Sequence, residues 1–195
     1  MIKKIFIFFF FCIFPLSTQS KNSDLVEKFV TKFSNINNIQ FDFIQTSNDV
    51  IEKGSCFLSY PEKLICRYQD EDQKEVVIKD STLAIIKKKY KVVYYYRVAN
   101  SPFATILNKN KIIEQIKNIK DIETQNKFFV INLMADQENT NLQLFINKTT
   151  LNIDGWKTTG YDGQSISFDI SNSQINVDIV EKFEIPNYEL ERQSN

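Results

Sequence analysis

Ser101-Pro102-Phe103-Ala104-Thr105-Ile106-Leu107 reads as a short, very apolar helix, and it follows a run from Ile39 to Arg97 that reads as strand after strand. Ser101 supplies a cap, and Pro102 occupies a first helical position, where its missing N–H costs nothing. Phe103, Ile106 and Leu107 then form one apolar stripe. Outward from this switch the sequence predicts one curved sheet with a greasy lid. A sheet whose hydrophobic side meets neither a second sheet nor long helices must place that side somewhere, and a cavity for an apolar ligand is one solution.

Upstream, Ile39, Phe41 and Phe43 alternate with Gln40 and Asp42, the period-two signature of a half-buried strand with Phe41 and Phe43 inward. Residues 50–60 and 63–69 read as two strands joined at Tyr60-Pro61-Glu62-Lys63, with Pro61 preorganised for the first corner of the turn. Leu64, Cys66 and Tyr68 share a face of the second. Strands over 75–79, 82–86 and 90–98 follow, separated by Asp70-Glu71-Asp72, Asp80-Ser81 and Lys87-Lys88-Lys89, and a meander is the simplest topology. Asp24 and Glu27 make a capping box for a helix carrying Leu25, Phe29, Phe33 and Ile36, expected to pack against the outside of the sheet. Beyond the apolar helix, residues 111–119 read as a second helix over the same opening. Strands near 119–124, 127–134, 141–147, 151–158 and 165–171 come next, with turns at 136–139 and 161–164. Strands on both sides of a helical insertion argue for one large sheet and one domain.

The N-terminus carries Lys3 and Lys4, an apolar stretch from Ile5 to Leu16 and small residues at Thr18-Gln19-Ser20, the pattern of a secretory signal cleaved before Lys21. The apolar run falls short of the ~20 residues that span a bilayer, and Cys12 lies inside it without the small residue that precedes a lipidated cysteine. Residues 21–195 would then form a single domain. Cleavage removes Lys3 and Lys4 from 24 basic residues and none of the 24 acidic ones, leaving a formal charge of −2. Nucleic acid is an unlikely partner at that balance, because phosphate neutralisation needs a basic excess on one face.

The chain has no histidine, which removes imidazole-activated nucleophiles, His-ligated zinc and the usual proton shuttle. Four glycines could hardly build a phosphate-cradling loop. Asp154 with Asp162, and Glu71 with Glu75, are the best carboxylate pairs, but they fall in turns or at strand edges and read as exposed charge. No catalytic set, metal site or cofactor is expected. Cys56 and Cys66 flank the Pro61 turn at similar distances, and either a cross-strand disulfide or two buried thiols fits them. Trp156, after Gly155, reads as core or rim packing that could touch a ligand.

Taken in order, Phe41-x-Phe43-x-Gln45, Gly54-x-x-Phe57-x-x-Tyr60-Pro61-x-x-Leu64-x-Cys66-x-Tyr68, Ser101-Pro102-Phe103-x-x-Ile106-Leu107, Leu151-x-x-x-Gly155-Trp156, Asp162-Gly163 and Phe183-x-Ile185-Pro186 resemble the periplasmic outer-membrane lipoprotein carrier proteins, the LolA family. The later strands look most like alphaproteobacterial forms. The resemblance implies an unclosed antiparallel β-barrel of about eleven strands, mainly β, with helices forming a lid over an apolar cavity. It also implies a monomeric periplasmic carrier that takes the acyl chains of lipoproteins released by an inner-membrane ABC complex and delivers them to an outer-membrane acceptor or to the outer membrane itself.

On that reading the lipid-contacting set is Phe41, Phe43, Leu58, Leu64, Tyr68, Tyr94, Tyr96 and Trp156, and the lid is Pro102, Phe103, Ile106 and Leu107. Many members of the family carry Arg before the proline, where it helps hold the lid shut; here Tyr60 stands in that place as the candidate latch. Two rivals remain. One is a periplasmic lipid-sensing regulatory module of the same fold, and the weaker one is an envelope hydrolase.

Overall fold

The computed structural model describes residues 21–119, 122–134, 141–159, 164–178 and 181–188. The expected leader over 1–20 and the turns over 136–139 and 161–163 lie outside the described residues. A helix α1 (Lys21–Ser34) leads into strands β1 (Asn38–Ser47), β2 (Val50–Ser59), β3 (Lys63–Tyr68), β4 (Lys74–Lys79), β5 (Thr82–Lys87) and β6 (Val92–Arg97). Two short helices, α2 (Phe103–Ile106) and α3 (Lys109–Lys117), precede β7 (Glu123–Gln125), β8 (Phe128–Met134), β9 (Asn141–Asn147), β10 (Ile153–Thr159) and β11 (Ser165–Ile175). The strands form one antiparallel sheet in the order β6-β5-β4-β3-β2-β1-β11-β10-β9-β8-β7, with β6 and β7 as its two unjoined edges.

Local chemistry explains the meander. Ser47 and Val50 face each other across Asn48 and Asp49, both at positive φ, and Lys79 faces Thr82 across Asp80 and Ser81, also both positive. Two-residue turns of that hand match the twist of the flanking strands, and Asn and Asp tolerate the left-handed region best after glycine. The Tyr60–Pro61 peptide bond is cis, and Glu62 after it is at positive φ. Gly54 sits opposite Phe43, and a Cβ there would come within 2.1 Å of the Arg67 carbonyl and 2.8 Å of the Phe43 ring. Glycine therefore lets that ring lie against the sheet.

The sheet curls around α1, α2 and α3. Its concave side holds the main core, in which Phe41, Phe43, Leu58, Leu64, Trp156 and Phe168 meet Phe29, Phe33, Ile106, Leu107, Ile112 and Ile116. This corrects the expectation for α1, which packs inside the curl: Phe29 meets the Phe129 ring edge-on at 6.0 Å and Phe33 meets Tyr60 at 5.8 Å. Asp24 lies within the helix and accepts an ion pair from Lys28 one turn on. Ser101 does not cap α2 either, because its hydroxyl donates back to the Val98 carbonyl at 2.8 Å. The cap that does form is Asn108, whose side chain accepts from the Lys111 amide and starts α3 two residues before the expected position.

A second, smaller core lies on the convex side of β2 to β6. Phe57, Ile65, Val77, Ala84 and Ile86 are covered there by Val177, Phe183, Ile185 and Tyr188. Arg67 ties the tail down with two parallel bonds to Glu181, at 2.8 and 2.7 Å. Glu75, expected to be exposed, is 8% accessible and accepts from Arg67 and Lys88.

Candidate functional site

Alternation along each strand decides what faces the interior of the curl. Phe41 and Phe43 on β1, Leu58 on β2, Leu64 and Tyr68 on β3 and Trp156 on β10 all join the concave core, and all but Tyr68 are buried. Leu64 is only 2% accessible and, like Phe43, borders neither of the chambers below. Cys56 and Cys66 are directly paired across β2 and β3 and are bridged, Sγ–Sγ 2.03 Å, with both side chains in the concave core.

Two chambers open within that core. The first, bounded by Phe29, Phe33, Phe41, Leu58, Ile112 and Trp156, is apolar and almost filled, with about 40 Å³ of free space. Ligand pockets usually offer ~300–1,000 Å³, so this chamber is nearly closed, with Phe29 and Phe33 of α1, Ile106 of α2 and Ile112 of α3 packed around it. The second holds about 230 Å³ and is bounded by Val76, Leu83, Ile85, Pro102, Phe103 and Phe168, with Gln45, Tyr68 and Lys74 at its polar end. Ile106 and Trp156 line both. Trp156 is held between Phe168, stacked at 4.6 Å, and Phe41, edge-on at 6.3 Å. Ile106 of α2 and Trp156 of β10 thus stand between the chambers.

Three of the four lid residues touch these spaces, Pro102, Phe103 and Ile106, while Leu107 is buried behind them and borders two outer polar clefts. Tyr60 lies beneath the lid and its hydroxyl donates to the Ile106 carbonyl at 3.4 Å, a long and therefore weak bond. Burial pushes the Tyr60 phenol well above its ordinary value, so it keeps its proton through the physiological range. Lys109 of α3 lies 5.6 Å from the Tyr60 ring and donates to the Ser34 and Ile36 carbonyls, joining α3 to the end of α1. Sequence reasoning passed over Lys109, whose role depends on carbonyls more than 70 positions away.

Tyr94 and Tyr96 require a correction. They pair with Ile85 and Leu83 and so occupy the concave face, but they are 47% and 53% accessible and border neither chamber. Strand β6 is an edge of the sheet, and its inward tyrosines stand outside both chambers.

Asp154 accepts from the Asn147 side chain at 2.9 Å, and Asp162 lies outside the described residues. Among the described residues no group of three His, Cys, Asp or Glu side chains could hold a metal, and no helix is long and apolar enough to cross a membrane.

A family model described as outer membrane lipoprotein carrier protein LolA matches residues 34–184. No curated protein matches the chain in sequence. Solved structures of similar shape include a LolA superfamily protein from Nitrosomonas europaea, at 9% identity, covering 84% of this chain and 97% of that one, with a TM-score of 0.47. The MucA/MucB complex from Pseudomonas aeruginosa is similar at 13% identity, covering 83% and 59% with a TM-score of 0.46. The Mycobacterium tuberculosis lipoprotein LppX is similar at 9% identity, covering 82% and 100% with a TM-score of 0.40. By the family match, which spans β1 to β11 and reaches the convex tail, the chain belongs to the LolA family.

Proposed function

We propose that this member of the LolA family is a monomeric periplasmic carrier that shields the acyl chains of lipoproteins released by an inner-membrane ABC complex and hands them to the outer membrane or an acceptor there. The observation that carries this reading is the concave chamber, lined mostly by apolar side chains and nearly closed, with Ile106 of the lid and Phe29, Phe33 and Ile112 of the neighbouring helices at its walls. A carrier must hold chains that water rejects at ~0.8 kcal/mol per methylene and must still release them. A lid that repacks the empty chamber offsets part of the cost of release, because each buried Ile or Phe regains ~1.5–3 kcal/mol on closing. The Cys56–Cys66 bridge fits an oxidising compartment, and the apolar run at 5–16 fits export.

The test is mass spectrometry of whatever co-purifies with the full chain expressed in an exporting cell. Triacylated lipoprotein is the expected result. Free phospholipid alone would favour the sensing module over the carrier, and a protein that emerges dry and ignores added acylated peptide would sink both.

A further inference from the structure

The two edges of the sheet are built differently. Strand β7 presents only Glu123, Thr124 and Gln125, all exposed and none apolar, a short polar edge of the kind that discourages a further strand. Strand β6 presents Val92-Val93-Tyr94-Tyr95-Tyr96-Arg97, twice the length and with no charge from Val92 to Tyr96. Its basic side chains stand at the ends, with Lys88, Lys89 and Lys91 before the strand and Arg97 closing it. Valine and tyrosine favour strands, and no proline or charge blunts the middle of this edge.

The ladder decides which backbone groups the edge offers. Val98 donates its N–H to the Ser81 carbonyl at 3.0 Å, and the register runs unbroken from Arg97 opposite Thr82 to Val92 opposite Lys87. Alternate residues of an antiparallel strand bond to the same neighbour, so Val92, Tyr94 and Tyr96 turn their N–H and C=O groups to β5. Those of Val93, Tyr95 and Arg97 turn outward, where β6 has no neighbouring strand. The tyrosines do not share a plane. Tyr94 and Tyr96 stand on the concave face and Tyr95 on the convex one, in a cleft with Pro186 and Tyr188, and all three are exposed. A membrane surface would meet one of these faces and leave the outward backbone groups unpaired. An added strand pairs with those groups and lays alternate side chains against both faces. Charge marks its ends. Lys87 and Lys88 are taken by Asp72 and Glu75, whereas Lys89 makes no ion pair among the described residues, and Arg97 borders a cleft with Glu62 and Asp80 yet closes an ion pair with neither.

We infer that β6 is a docking edge for an extended segment of another polypeptide. The segment adds to the sheet as a further strand, with β-branched or aromatic side chains against Tyr94, Tyr95 and Tyr96 and carboxylates at its ends towards Lys89 and Arg97. The inference is independent of what the concave chamber carries.

The experiment is fluorescence anisotropy of a dye-labelled peptide, Asp-Thr-Val-Thr-Val-Thr-Val-Asp, titrated with the full chain. Saturable binding is expected. Tyr95→Pro deletes one outward N–H and spares the bonds to β5, so it should weaken binding about tenfold, the yield of one or two backbone hydrogen bonds. Tyr95→Thr keeps that N–H and should bind more tightly than Tyr95→Pro. In the native chain, bound peptide should slow amide hydrogen exchange at Val93, Tyr95 and Arg97 and leave Tyr94 and Tyr96 as they were, a readout that needs no variant. Absence of saturable binding, equal binding by Tyr95→Pro and Tyr95→Thr, or unchanged exchange at Tyr95 overturns the docking edge. A peptide with lysine in place of both aspartates should bind about threefold more weakly at low salt; equal binding overturns the charged ends. Three outcomes overturn the proposal by giving the edge another occupant: phosphatidylglycerol vesicles bound in place of the peptide, a dimer of the native chain that Tyr95→Pro abolishes, and peptide binding that appears only after residues 189–195 are removed.

Discussion

On the concave face the covering side chains Phe29, Phe33 and Ile106 come from helices that are fastened unequally: α1 is tied by Lys32 to Thr150 and Asn152, α3 by Gln115 to the Met134 backbone and by Lys109 to two carbonyls, and α2 by one long Tyr60 bond. On the convex face Phe183 and Ile185 come from an extended tail pinned by the two-pronged Arg67–Glu181 contact, with Glu75 buried beside it. Both sides bury apolar surface, so hydrophobic gain does not tell them apart. They differ in directional fastening. A bidentate guanidinium–carboxylate pair sets the position of the tail by its geometry, whereas one long hydroxyl bond gives α2 little directional hold beyond its apolar burial. By this measure α2 is the less directionally fastened cover and the tail the more so.

The contrast breaks most visibly at the back of the sheet. Phe57→Ala, under the tail, should cost about 3–5 kcal/mol in urea unfolding, with acyl-probe affinity of the folded protein unchanged; an affinity change would tie the convex face to the cavity. On the concave side Ile106→Ala should cost about 2–4 kcal/mol yet tighten acyl binding severalfold, since it removes the side chain that competes with the ligand. Weaker binding by that variant would mean the lid contributes to the bound state instead. Tyr60→Phe removes the weak lid bond and should cost about 0.5–1.5 kcal/mol, read as faster amide hydrogen exchange in α2 than in the tail.

The smallest effect is expected from Glu181→Gln, at most about 1 kcal/mol because both partners are partly solvated. The Arg67 hydrogen bonds hold the Glu181 carboxyl below its ordinary range. Its depressed value means the contribution is complete above the unfolded-state value and is lost as pH falls through the folded one. Acid titration of stability should therefore show a smaller loss in the variant than in the native chain.

Much of the fold was legible because the alternation of β1 and the turns after β3 and β4, at Asp70-Glu71-Asp72 and Asp80-Ser81, are written locally. The convex core was not. Cys56-Phe57-Leu58, Leu64-Ile65-Cys66 and Val76-Val77-Ile78 are apolar on both faces, and period-two reasoning cannot say that such strands are covered twice. The same ambiguity misplaced α1, since an apolar stripe specifies burial but not which side of a two-faced sheet receives it. Tyr94 and Tyr96 were read to the correct face, but how far a lid reaches along a sheet is a tertiary fact.

Strands β1 and β11 form the seam between two meanders, and among the described residues theirs is the one strand pairing made by distant parts of the chain. Its side-chain bonds, such as Asn172 to Asp42 and Asn38 to Val177, span 130 and 139 residues. Closing so large a loop carries an entropic cost that local hairpins avoid, and non-local pairing is what slows two-state folding. Each meander can therefore assemble early as its own ribbon, while the curl, and with it any interior at all, comes into being only when the seam zips.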